Sequence, residues 1–234
     1  MSTRNSLKVG LTAIFAALHA ILYLLSFGLW RNWAIYIEPF EGIFLGPWMG
    51  FSAAFMGSVI ARIIRPIDFW MFGIVAEPLG VLVCGFLARG KWKPAILIYG
   101  FMLLAYFIHP FGRALPLWTI LDILISFMLI YPVAKMGNYI FMDDVKRSSL
   151  SFIFVSFIGT VTDSLTRVFL FIPAGLYSLF GLSFNELQWI FVTGAVSSYI
   201  EDALVVLVSV LVGIPLLAAL KKLKFEEVKI SMLE

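Results

Sequence analysis

The chain has 234 residues, 62% of them hydrophobic and 13% charged. A soluble domain of this size has no use for so much apolar surface, so the composition points to a protein embedded in a membrane. The net charge of +3 fits basic loops beside a bilayer and gives no reason to expect nucleic acid as a partner, and the single Cys84 excludes an internal disulfide or a cysteine-based metal cluster.

Arg4 and Lys8 precede an apolar run from Val9 to Leu29. That run is longer than the roughly 7–15 residues of a signal peptide, so it is expected to be the first transmembrane helix. It carries Ala13, Ala16, Ala17 and Ala20, two small pairs four apart. Such pairs let helices approach closely in lipid, either within the chain or against another membrane subunit. Trp30-Arg31-Asn32-Trp33 then reads as an outer loop, whose indoles suit an interfacial belt or the cover of a ligand.

The stretch from Ile35 to Ile64 is almost wholly apolar. As one helix it would be ~45 Å long, against a hydrocarbon core of ~30 Å. Gly46-Pro47 supplies a break, predicting a short helix to Leu45, a tight reversal and a second helix from Trp48. Counted so, the chain forms a helical bundle with about eight hydrophobic segments: 7–29, 35–46, 48–64, 69–88, 94–109, 115–135, 148–172 and 190–220. With both termini cytoplasmic, twelve of the seventeen Lys and Arg residues fall inside, as the positive-inside rule requires. A single crossing through 35–64 would reverse every later loop and break the rule. The expected protein is one all-α, multipass domain over residues 1–234.

Polar residues within the spans are the candidates for function, because a charge at bilayer centre costs ~2.5–3.5 kcal/mol on insertion scales. Glu77 lies near the middle of the fourth span and Asp122 a third of the way into the sixth. Asp163 and Arg167, four apart, stack on one face amid Thr160, Thr162, Ser164 and Thr166; they suit an internal salt bridge or a watered cavity. In the last span Glu201 is the choice for a cavity-facing acid over adjacent Asp202. Glu38 and Glu41 have a sufficient structural reason at a helix N-terminus. Arg62 and Arg65 oppose the charge bias, either snorkelling and pairing with Asp68 or forming a basic rim for an anionic solute. His19 and His109 stand in no hydrolase or metalloprotease context, and no phosphate-cradling loop is present.

Lys8-x-x-x-x-Ala13-x-x-x-Ala17, an outer loop, and Glu41-Gly42-Ile43-Phe44-Leu45-Gly46-Pro47-Trp48-Met49-Gly50 together resemble the substrate-binding S components of energy-coupling factor (ECF) transporters. The resemblance is best over about residues 7–90. It implies that Ala13 and Ala17 dock a transmembrane coupling subunit with its ATPases, and that Trp30 to Tyr36 gate the site. Members usually have six helices, fewer than the eight segments read here. The expected function is capture of a water-soluble vitamin or similar micronutrient from outside, without chemistry on it and without a cofactor or metal. The expected binding residues are Trp30, Trp33, Tyr36, Glu77, Asp163, Arg167 and Glu201, in a cell membrane whose lipid surrounds the bundle. The alternative is a proton-coupled secondary transporter using Glu77, Asp122 or Glu201.

Overall fold

A computed structural model describes residues 3–26, 32–67, 69–142 and 144–222. In chain order it has α1 (Thr3–Leu24), a 3₁₀ turn (Trp33–Tyr36), α2 (Glu38–Leu45), α3 (Pro47–Ile64), α4 (Trp70–Ala88), α5 (Trp92–Ile108) and α6 (Pro110–Ala114). A second 3₁₀ turn (Leu117–Ile120) leads into α7 (Leu121–Gly137), followed by a third (Asn138–Phe141), α8 (Val145–Phe171), α9 (Leu176–Leu179) and α10 (Phe184–Lys222). The described residues form an all-α bundle. Six of its helices are long and apolar enough to cross a membrane, with α5 a shorter seventh. Many exposed positions on these helices are apolar, as a membrane-facing surface requires: Ile63 is 75% exposed, Leu97 72% and Met128 78%.

The break in the long apolar stretch falls at Gly46-Pro47, as the sequence predicts. Gly46 adopts φ 90°, a region that a side chain disfavours, and Pro47 takes the first position of α3, where its missing N–H costs nothing. The partner segment differs from expectation. Residues 35–46 are not a crossing, because α2 has eight residues, all buried, and is only ~12 Å long.

The chain nonetheless returns to its starting side. Tyr23 donates to the Arg65 carbonyl (3.4 Å) and the Arg65 guanidinium reaches the Leu24 carbonyl (3.5 Å), so α1 and α3 end together and run parallel. The first 3₁₀ turn and α2 carry the chain back through the protein interior. Their backbone is shielded from lipid by protein, which is the condition under which irregular structure is tolerated at membrane depth.

α4 is the central helix, buried without interruption from Gly80 to Ala88. Its approach to α8 is set by glycine: a Cβ on Gly80 would lie 2.8 Å from the Gly159 carbonyl oxygen. Beside it Tyr99 of α5 donates to the Ile158 carbonyl (3.0 Å), pinning α5 to α8. At the end of α4, Arg89 donates to the carbonyls of Gly85 (3.3 Å) and Ile43 (3.5 Å), a cation placed at the C-termini of both α4 and α2. Partial burial lowers its guanidinium to about 10.

The last helix is longer than expected. α10 has 39 residues, ~58 Å, and begins at Phe184 rather than near 190, so it takes in part of the expected outer connection.

Candidate functional site

Where α1, α2, α3, α4 and α8 meet, the bundle encloses a network of ionisable groups. His19 on α1 is fully buried; Nδ1 lies 3.3 Å from Glu41 Oε2 and Nε2 lies 3.2 Å from Glu77 Oε2. Glu77 is the hub. The Arg62 guanidinium donates to both its oxygens (2.5 and 3.1 Å), the Ser58 hydroxyl to Oε2 (2.5 Å) and the Asn32 amide to Oε1 (2.8 Å). Arg62 also donates to the Ser58 hydroxyl and lies over the Tyr23 ring, 4.8 Å from its centroid.

On the other side of Glu77, Arg167 Nη2 stands 3.7 Å from Oε1. The same guanidinium grips Asp163 with two hydrogen bonds, Nε to Oδ2 (2.7 Å) and Nη2 to Oδ1 (3.1 Å). Their four-residue spacing on α8 puts both side chains on one face, as the sequence predicts. Glu38 completes the centre, 2% exposed. Four carboxylates, Glu38, Glu41, Glu77 and Asp163, thus face two guanidiniums, Arg62 and Arg167, and one imidazole.

Local sequence explains the placement. Ser58 and Arg62 are one turn apart on α3 and so address the same carboxylate. Gly73, near the start of α4, admits the Arg62 guanidinium, since any Cβ there would collide with it. Glu38 and Glu41 occupy the first turn of α2, where the positive end of the helix dipole favours them.

Arg167 also stands in the wall of a cavity of about 620 Å³ between α4, α7, α8 and α10. Phe69, Phe72, Phe171, Phe180 and Phe191, together with aliphatic side chains such as Ile123, Val168 and Ile190, make its lining mainly apolar, with Thr119, Asp122, Ser164 and Ser198 as polar groups beside Arg167. These residues lie at the Arg65 end of the bundle, where α4 and α7 begin and α8 ends.

The structure brings Glu77, Asp163 and Arg167 together as one group. Of the expected binding residues that are described, only Arg167 lines this cavity. Trp33 and Tyr36 sit in the first 3₁₀ turn; the Trp33 N–H donates to Ser26 Oγ (2.5 Å) and the Tyr36 carbonyl accepts from Ser209 on α10 (2.9 Å). The segment read as an outer loop therefore reaches into the bundle, and its Asn32 touches Glu77. Trp30 lies outside the described residues, as does Asp68, the expected partner of Arg62. On α10 it is Asp202, 2% exposed, that accepts from Ser164 (3.4 Å), while adjacent Glu201 is half-buried.

Arg62 is not at the headgroups but 5% exposed and paired with Glu77. Its conflict with the positive-inside pattern was the available signal. His19 carried a signal too, as an ionisable group in mid-span. What sequence does not display is that both meet the same carboxylate.

Fold and site together define a multipass all-α membrane protein with a charged interior. It is 28% identical over 143 residues to the uncharacterized protein MJ0923 of Methanocaldococcus jannaschii, a match covering 58% of this chain and 48% of that protein. The chain thus spans about half the length of this relative. No family model and no solved structure matches.

Proposed function

We propose that this protein is the solute-binding membrane subunit of an ECF-type importer, taking up a vitamin-sized micronutrient and leaving ATP hydrolysis to partner subunits. The observation that carries the reading is the division of small residues on α1. Ala16 and Ala20 are buried against the chain itself, whereas Ala13 and Ala17 are exposed beside Gly10, whose surroundings are open. The described residues leave this face uncovered, and it is the one that the ECF resemblance assigns to the coupling subunit.

The cavity supports the solute-binding part. Its volume lies within the roughly 300–1,000 Å³ of small-molecule sites, and an apolar lining with five phenylalanines and a few polar groups suits a ring-containing, water-soluble compound. It opens at the end of the bundle opposite most Lys and Arg residues, which the positive-inside rule makes the outer side. A solute that engages Arg167 acts on the Asp163 and Glu77 contacts of the same side chain, linking occupancy to the centre. In this reading the solute undergoes no reaction.

Co-purification from native membranes in mild detergent tests the proposal. Recovery of a membrane coupling protein with ATPases, lost on Ala13→Trp plus Ala17→Trp, is the expected result. A chain recovered alone, in a preparation where other multisubunit transporters stay intact, would sink it.

The excess of buried carboxylates favours a second reading, a proton-coupled secondary transporter. Solute uptake by the protein alone in proteoliposomes, abolished by collapsing the proton gradient, would select it.

A further inference from the structure

We infer that His19, Glu38 and Glu77 form a binding site for one divalent transition-metal ion at the centre of the bundle. The first ground is charge. The four carboxylates of the centre outnumber its two guanidiniums by two, and buried charge is costly unless a cation or protons compensate it. A divalent cation bound by a neutral imidazole balances the centre.

Ligand geometry is the second ground. One ligand atom from each of His19, Glu38 and Glu77 lies within 4.8 Å of the others, and all three residues are buried. Metal bonds of ~2.0–2.2 Å at octahedral to tetrahedral angles place neighbouring ligand atoms about 2.8–3.6 Å apart. His19 Nε2 and Glu77 Oε2 are 3.2 Å apart. Glu41 faces the other ring nitrogen at 3.3 Å, the arrangement in which a carboxylate accepts from Nδ1–H and turns Nε2 toward a metal. Ser58, Asn32 and Arg62 hold the Glu77 carboxylate from outside.

Third, Glu38 Oε1 is buried and meets no hydrogen-bond donor among the described residues. A carboxylate oxygen in that position is explained by a cation. Imidazole with two carboxylates is a set for Zn²⁺, Co²⁺ or Ni²⁺, whereas Mg²⁺ and Ca²⁺ take oxygen ligands. The inference does not rest on the importer reading, since none of the three ligands lines the cavity and His19 is buried whereas Ala13 and Ala17 on the same helix are exposed.

The test uses the full-length protein in detergent, without a polyhistidine tag, stripped by chelator and titrated with Co²⁺. The chain has two histidines, so a His109→Gln background assigns any imidazole signal to His19. One equivalent of Co²⁺ should bind with visible d–d absorption and be displaced by Zn²⁺. Glu38→Gln should lose binding, while Glu41→Gln weakens it by about 10–100-fold, as loss of an orienting partner does. X-ray absorption of the Co²⁺-loaded His109→Gln protein, which leaves all three ligands unaltered, should show imidazole nitrogen in a mixed N/O shell. Absence of saturable binding in monodisperse protein, a shell without imidazole, or Glu38→Gln binding like its parent would overturn the inference. The centre would then be an imidazolium salt-bridge network balanced by protons.

Discussion

Arg62 shows what a single misplaced charge means in a membrane helix. Exposed at the headgroups it would contribute little; buried against Glu77 it is one half of a pair that neither residue can leave cheaply. Removing one partner of a buried ion pair typically costs ~3–5 kcal/mol, because the other stays behind uncompensated. Arg62→Met should therefore lower the thermal midpoint in detergent sharply, and adding Glu77→Met should restore part of the loss. A double-mutant cycle should give a coupling energy of ~0.5–3 kcal/mol, and additive effects would show that the two do not interact. Gly73→Ala should act in the same direction without touching a charge, since its methyl group takes the space of the guanidinium. If its midpoint equals that of the unaltered protein, Gly73 does not hold that space open.

At the scale of elements, α2 is the device that builds the site. A full-length crossing helix in its place would carry Glu38 and Glu41 along a lipid-spanning cylinder. A half-length helix, entered through a 3₁₀ turn, points its first turn at the protein centre instead. The hinge is Gly46, where φ 90° and the nearby Arg89 guanidinium both exclude a side chain. Gly46→Ala should destabilise by ~1–3 kcal/mol, the usual range for a residue forced into a sparsely populated region. It should also loosen α2, read as faster hydrogen exchange over residues 38–45 than in the parent. Unchanged exchange there would mean that the reversal tolerates a methyl group.

For the whole molecule, the helix order puts Lys91, Lys93 and Lys135 at one end and Arg113 with Ser178 at the other. In a Cys84→Ala background, cysteines at 91 and 135 should react with a membrane-impermeant thiol reagent only from the cytoplasmic side, and those at 113 and 178 only from outside. Labelling of 91 and 113 from the same side would contradict the bundle. The exposed positions on α1 carry a second expectation at this scale. Ala13→Trp plus Ala17→Trp should leave the unfolding midpoint of the isolated protein nearly unchanged, within ~0.5 kcal/mol, because neither side chain is buried in the chain. A large drop would place that face inside the fold.

The amino-acid sequence by itself determined the class, the positions of the hydrophobic segments and the break at Gly46-Pro47. Each of these is a local property: hydropathy over a span, a proline at a helix start, a glycine at a turn. The pairing of Asp163 with Arg167 was legible for the same reason, since four residues on a helix fix a shared face. Only the tertiary structure decided that α2 stops halfway, that Asp202 is buried against Ser164, and that His19, Glu41, Arg62 and Glu77 meet. Those residues come from four helices and are separated by up to 58 positions between His19 and Glu77. Periodicity along one helix carries no information about which neighbour it faces, and the facing is set by the close packing of α1, α3, α4 and α8 around glycine and alanine.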